Sequence, residues 1–111
     1  MILAACVKFG DIMFVGTCHG EALWNATSDE KYNPQCEHQD GFISDQYNKA
    51  NGYFRTREEA YGEAEYCGQL LYENDERKLG SEMIYIMPDS LARAEQIANG
   101  ENERVTAQHT F

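Results

Sequence analysis

Residues 2–8, Ile-Leu-Ala-Ala-Cys-Val-Lys, are apolar at nearly every position. A strand with one wet face alternates apolar and polar residues, so an unbroken run belongs at the centre of a sheet or under cover on both sides. Gly10-Asp11 is a good two-residue hairpin turn, and residues 12–16 supply the returning strand. A chain of 111 residues has room for one domain with a real but modest core.

Residues 40–69 form the second organising stretch: a turn, an aromatic-rich hairpin and the best-capped helix of the chain. Phe42-Ile43-Ser44 and Tyr53-Phe54-Arg55 read as short strands with a longer loop between them. Thr56 and Glu59 make a T-x-x-E capping box that starts a helix over 57–67. Ala60, Tyr61, Ala64 and Cys67 supply its packed face, and Gly68 sits where a left-handed cap residue belongs. Residues 21–26 suit a short helix or turn, and 27–41 are polar and irregular around Pro34. Residues 82–87 alternate as a last strand, ended by Pro88. Asp89 or Ser90 then caps a helix with Leu91, Ala94, Ile97 and Ala98 on one face and Gly100 as its stop. The expectation is an α+β fold: a small antiparallel β-sheet, one main helix packed on it and an added C-terminal helix. Residues 1–100 would be a single ligand-binding domain and 101–111 a polar tail.

The formal charge of −10 argues against binding to a nucleic-acid polymer or an anionic membrane, both of which need a basic field. It does not exclude a small phosphate ligand held by a local arginine pair, and it also suits a mimic of DNA. No stretch reaches the length of a membrane-spanning helix, and the opening apolar run lacks the marks of a secretory leader. Four cysteines, Cys6, Cys18, Cys36 and Cys67, then read as reduced thiols in a cytosol.

Arg55 and Arg57 flank the start of the capped helix, where free N–H groups and the helix dipole attract anions. Arg57 would offer a bidentate fork to a phosphodiester; the competing reading is a surface arginine paired with Glu58 or Glu59. His19, in T-C-H-G, can bond a base edge or a phosphate, or simply cap and pack. Trp24, Phe42, Tyr53 and Phe54 are stacking candidates, with sheet core as the alternative for Phe42 and Phe54. Gln69 can read a base edge or satisfy a loop. Cys18-His19 and Cys36-x-His38 carry zinc-type donors, but their spacing fits no usual finger or ribbon, so no metal is expected. No G-x-S-x-G, H-E-x-x-H or Walker-type loop is present. Cys67 lies at the wrong end of a helix for an activated thiolate. Neither an enzyme nor a cofactor is expected.

Asp40-Gly41-Phe42, Gly52-Tyr53-Phe54-Arg55-Thr56-Arg57-Glu58-Glu59-Ala60, Cys67-Gly68-Gln69 and Ser81-Glu82-Met83-Ile84 together resemble the pattern of a group of small phage-encoded proteins. The similarity covers about residues 1–85, and the group overlaps the phage anti-CBASS sponges, which bind the cyclic nucleotides bacteria use to signal infection. The resemblance implies sequestration of a cyclic di- or trinucleotide, such as 3′,3′-cGAMP, without cleavage, in the cytoplasm of the infected bacterial host. It implies a homo-oligomer, a tetramer; the ligand contacts expected from the residues themselves are His19, Trp24, Phe42, Tyr53, Arg55, Arg57 and Gln69. Asp40 stands where glutamine or histidine is usual, the loop over 45–51 is longer, and Met83 replaces an aspartate. Those departures leave room for a shifted ligand, such as a TIR-derived ADP-ribose signal. An acidic protein that inhibits a host protein is the rival reading.

Overall fold

In the computed structural model, which describes residues 1–108, β1 (Ile2–Phe9) and β2 (Ile12–Gly16) form the expected hairpin, with Gly10 at φ 61° in the turn. β3 (His38–Asn48) pairs antiparallel with β1, and β4 (Gly52–Thr56) with β3, in the order β2-β1-β3-β4. β1 is therefore central, and every one of its residues but Lys8 is buried.

Residues paired across strands share a face, so Val7 lies with Phe14 and Asp40, and Cys6 with Val15 and Gly41. α1 (His19–Thr27) covers the Val7 face, where Ala22 and Ala26 pack with Val7, Phe9 and Phe14. α2 (Arg57–Tyr66) covers the same face farther along, its Glu63 reaching Ser44 and Arg55. α3 (Pro88–Gln108) takes the opposite face, with Ala94 and Ala98 in one cluster with Met13 and Val15. This is the expected α+β fold, a four-stranded antiparallel sheet with helices packed on it, including the C-terminal one. Gly41 lets β3 and β4 close up: a Cβ there would collide with the Arg55 carbonyl and the Phe54 ring.

Four local expectations are corrected. β3 does not stop at Ser44 but runs to Asn48, so most of the expected loop is strand, closed by Asn48 accepting from the Asn51 N–H at 2.7 Å. Its polar sequence hid it, because this end of the hairpin faces water. Residues 82–87 are not a strand: Ser81–Met83 is a 3-10 turn and Ile84 makes a lone bridge to Leu70. No free sheet edge awaits them. On β2, Asn102 bonds both the N–H and the carbonyl of Met13 and Asn25 bonds the Val15 carbonyl, and just past its end Glu21 accepts the Thr17 N–H. On β4, Arg55 takes the Gly52 and Phe54 carbonyls, and Glu59 takes the Thr56 N–H. Side chains thus close both edges against strand addition.

The C-terminal helix passes Gly100 and continues to Gln108, so 101–108 is helix and not tail; 109–111 lie outside the described residues. A glycine inside a helix costs about 1 kcal/mol, which the continued stripe of Ala98, Asn102 and half-buried Val105 offsets. Cys67, finally, caps α2 and is exposed instead of completing its packed face.

Cys6 is fully buried, and desolvation pushes its thiol up to about 12, whereas Cys18 and Cys67 are exposed. At mildly alkaline pH an alkylating reagent should label Cys18 and Cys67 in the native protein and reach Cys6 only after denaturation. Intact-mass analysis reads this directly, and rapid native labelling of Cys6 would show that the sheet opens readily.

Candidate functional site

Most of the residues singled out in the sequence are committed to the fold. His19 opens α1 with both ring nitrogens engaged, Nδ1 2.7 Å from Ser81 Oγ and Nε2 2.7 Å from the Gly41 carbonyl. Its ring meets Phe42 edge-on at 4.9 Å. A carbonyl can only accept, so Nε2 carries the proton and Ser81 donates to Nδ1. His19 is a clamp between α1, β3 and the 79–81 segment, with no nitrogen left for a ligand. Phe42 is wholly buried core. Gln69 pairs with both backbone groups of Ile2, at 2.8 and 2.9 Å, and so extends the start of β1.

Arg55 points inward. It is 6% exposed. Its Nε donates to Glu63 at 3.0 Å, Nη1 to the Gly52 and Phe54 carbonyls, and Nη2 to the Gln46 carbonyl. Arg57 is exposed and anchored through Nε to the Leu79 carbonyl at 2.9 Å, while its own carbonyl accepts the Leu79 N–H. The helix start beside it already carries acidic side chains. Thr56 and Glu59 complete the capping box, and the Glu58 and Glu59 carboxylates occupy the first turn. Trp24 stands 72% exposed on α1. Tyr53 is half-buried, edge-on to Tyr47 at 5.4 Å. Among the described residues, no group of three or more His, Cys, Asp or Glu is placed to hold a metal ion. No helix among the described residues is long and apolar enough to cross a membrane.

Glu63 is the hub beneath Arg55. It also accepts from Ser44 Oγ at 2.5 Å and from the Met1 amino group at 3.1 Å. Burial alone would raise its carboxyl, but Ser44, the Met1 amino group and Arg55 together hold it below its ordinary value. A lowered folded value means stability that is present above the unfolded glutamate range, near 4.5, and lost as the pH falls through the folded value. Unfolding free energy measured against pH should therefore fall less steeply on the acid side for Glu63→Gln than for the parent. Equal slopes would remove Glu63 from the acid limb.

Above this hub lies a cleft of about 430 Å³. Tyr47, from the outer part of β3, and Tyr66, at the end of α2, border it, with Gln46, Asn48 and Cys67 on the rim and Arg55 and Glu63 at the floor. Tyr47 is 62% and Tyr66 92% exposed. Sequence reasoning missed both, one inside an expected loop and the other read only as a helix end. A helical tyrosine opposite the Ala60–Ala64 stripe was the available signal. Three expected site residues gather here indirectly: Arg55 lines the floor, Tyr53 supports Tyr47, and Gln69 pins Ile2 beside Met1. A hollow of about 470 Å³ near Lys8 and His38 is no smaller, but its histidine is already paired with Asp40 and stacked on Phe9.

Residues 1–85 match the family described as phage T4 y16D protein. The chain belongs to that family. The matched span holds all four strands, α1, α2 and the whole tyrosine cleft, and ends before α3. It is also the span that carries the motif resemblance. No curated protein and no solved structure matches the chain.

Proposed function

We propose that this y16D-family chain is a non-enzymatic phage protein that captures a cyclic di- or trinucleotide immune signal and holds it intact. The observation that carries the reading is the tyrosine cleft. Its volume of about 430 Å³ falls within the roughly 300–1,000 Å³ of small-molecule sites, and its two tyrosine walls lie open to solvent. Exposed aromatic faces suit nucleobases, since every base offers a π-face. The contact set shifts accordingly, from His19, Phe42 and Gln69 to Tyr47 and Tyr66. Arg57 stands at the other end of α2, nine residues and roughly 14 Å of helix rise from Tyr66, and is not among the residues that line the cleft. A cyclic dinucleotide has two bases and the cleft is open, which favours a homo-oligomer, a tetramer by the resemblance, acting in the cytoplasm of the infected bacterium. A TIR-derived ADP-ribose signal would likewise present a nucleobase. The rival, an acidic protein that blocks a host protein, draws on the charge of −10 and on exposed Trp24, Tyr85 and Met87.

The test is calorimetric titration with a panel of cyclic di- and trinucleotides, then heat release and chromatography of the bound ligand. Tight binding with unaltered ligand recovered is the expected outcome. Altered product would make the protein an enzyme, and silence across the panel would overturn capture in favour of the rival.

A further inference from the structure

We infer that the Tyr47–Tyr66 cleft recognises its ligand through an uncharged planar ring, a nucleobase, and not through phosphate. The inference rests on the nucleotide-capture reading and narrows it. Phosphate recognition needs an accessible cation whose charge is not already paired, and the cations lining the cleft are both paired with carboxylates. Its one cationic side chain, Arg55, is 6% exposed and spends four of its five N–H donors on Glu63 and three backbone carbonyls. The Met1 amino group is held by Asp45 at 2.6 Å and Glu63 at 3.1 Å. Two positive groups meet two carboxylates, so the floor is neutral inside a chain of charge −10. A phosphate entering here would lose its water and gain no charge partner.

The rim, by contrast, suits a base. Tyr66 and Tyr47 expose their rings. Gln46 and Asn48 line the same cleft, and a side-chain amide carries a donor and an acceptor together, the complement of a purine edge. The Asn48 oxygen is taken by the Asn51 N–H, which leaves its NH₂ to donate. Stacking plus one or two neutral hydrogen bonds makes a site that reads the ring and leaves the phosphates outside.

The experiment titrates the full chain with adenosine, guanosine, a cyclic dinucleotide and inorganic pyrophosphate, at about 0.05 and 0.5 M salt. Expected are nucleoside binding, no competition from pyrophosphate, and a cyclic-dinucleotide affinity that moves less than about threefold across that range, against a steep fall for each phosphate neutralised. Tyr66→Ala and Tyr47→Ala should each weaken binding by about 5- to 150-fold, Tyr66→Ala with the unfolding midpoint unchanged and Tyr47→Ala with a small drop from losing its edge-on contact with Tyr53. Cyclic-dinucleotide binding that ignores both tyrosines, or that pyrophosphate displaces, would overturn base recognition here while leaving capture itself standing. Tyrosine-dependent nucleoside binding with no binding of any cyclic di- or trinucleotide would uphold the cleft and sink the capture reading. No binding of any probe overturns both.

Discussion

Arg55→Met should lower the free energy of unfolding by about 3–5 kcal/mol, the usual cost of removing one partner from a buried ion pair. Methionine keeps much of the apolar stem, so the loss is polar. Glu63, with its side chain 20% exposed, is left without its guanidinium partner, and the Gly52, Phe54 and Gln46 carbonyls each lose a donor. Those carbonyls join the outer end of β3 to β4, so the hairpin carrying Tyr47 should loosen first. Replacing both partners should cost less than the sum of the single changes, because the double variant strands no carboxylate. Urea unfolding of the two single variants and the double variant measures this. A single-variant loss below about 1 kcal/mol would class the pair with ordinary surface salt bridges.

Asn102→Leu should cost about 2–6 kcal/mol, because it strands two backbone groups at once and each buried unpaired group costs about 1–3 kcal/mol. Asn102 is 5% exposed, and its amide accepts the Met13 N–H and donates to the Met13 carbonyl, both at 2.8 Å. Asn102→Asp is the sharper variant. It retains the acceptor but sets a carboxylate oxygen against the Met13 carbonyl, so it should be no better than leucine despite its near-identical shape. Hydrogen exchange at the Met13 amide should accelerate in both. A tail-like region would tolerate all of these changes, and variants as stable as the parent would restore that reading for 101–108.

The contrast between those two residues and the correctly anticipated elements has a physical origin. The Gly10-Asp11 turn, the Thr56–Glu59 capping box and the Gly68 cap at φ 69° are complete within a few neighbouring residues. Their chemistry is legible wherever they occur. The apolar run of β1 likewise announced a strand covered on both faces, because burial on each side leaves no polar alternation. Strand 82–87 failed for the opposite reason: its alternation was real, with Ile84 and Ile86 buried, but strand formation needs a vacant edge, and the edges were closed from elsewhere.

The candidate site was less legible than the fold. Arg55, His19 and Gln69 were sound choices by residue type, and each found a protein partner instead of a ligand: Glu63 eight residues on, Ser81 62 away and Ile2 67 away. Tyr47 and Tyr66 gained meaning only once β3 extended and α2 lay over it.

By itself, then, the sequence determined the central strand, the hairpin turn, the caps of the main helix and the α+β class, since short-range sterics and burial periodicity suffice for these. The tertiary structure alone decided which polar side chains are spent on the protein and which aromatic faces remain for something else. A hydrogen bond is set by proximity in space, and Asn102 reaches Met13 across 89 residues with nothing in the local sequence of either to announce the other.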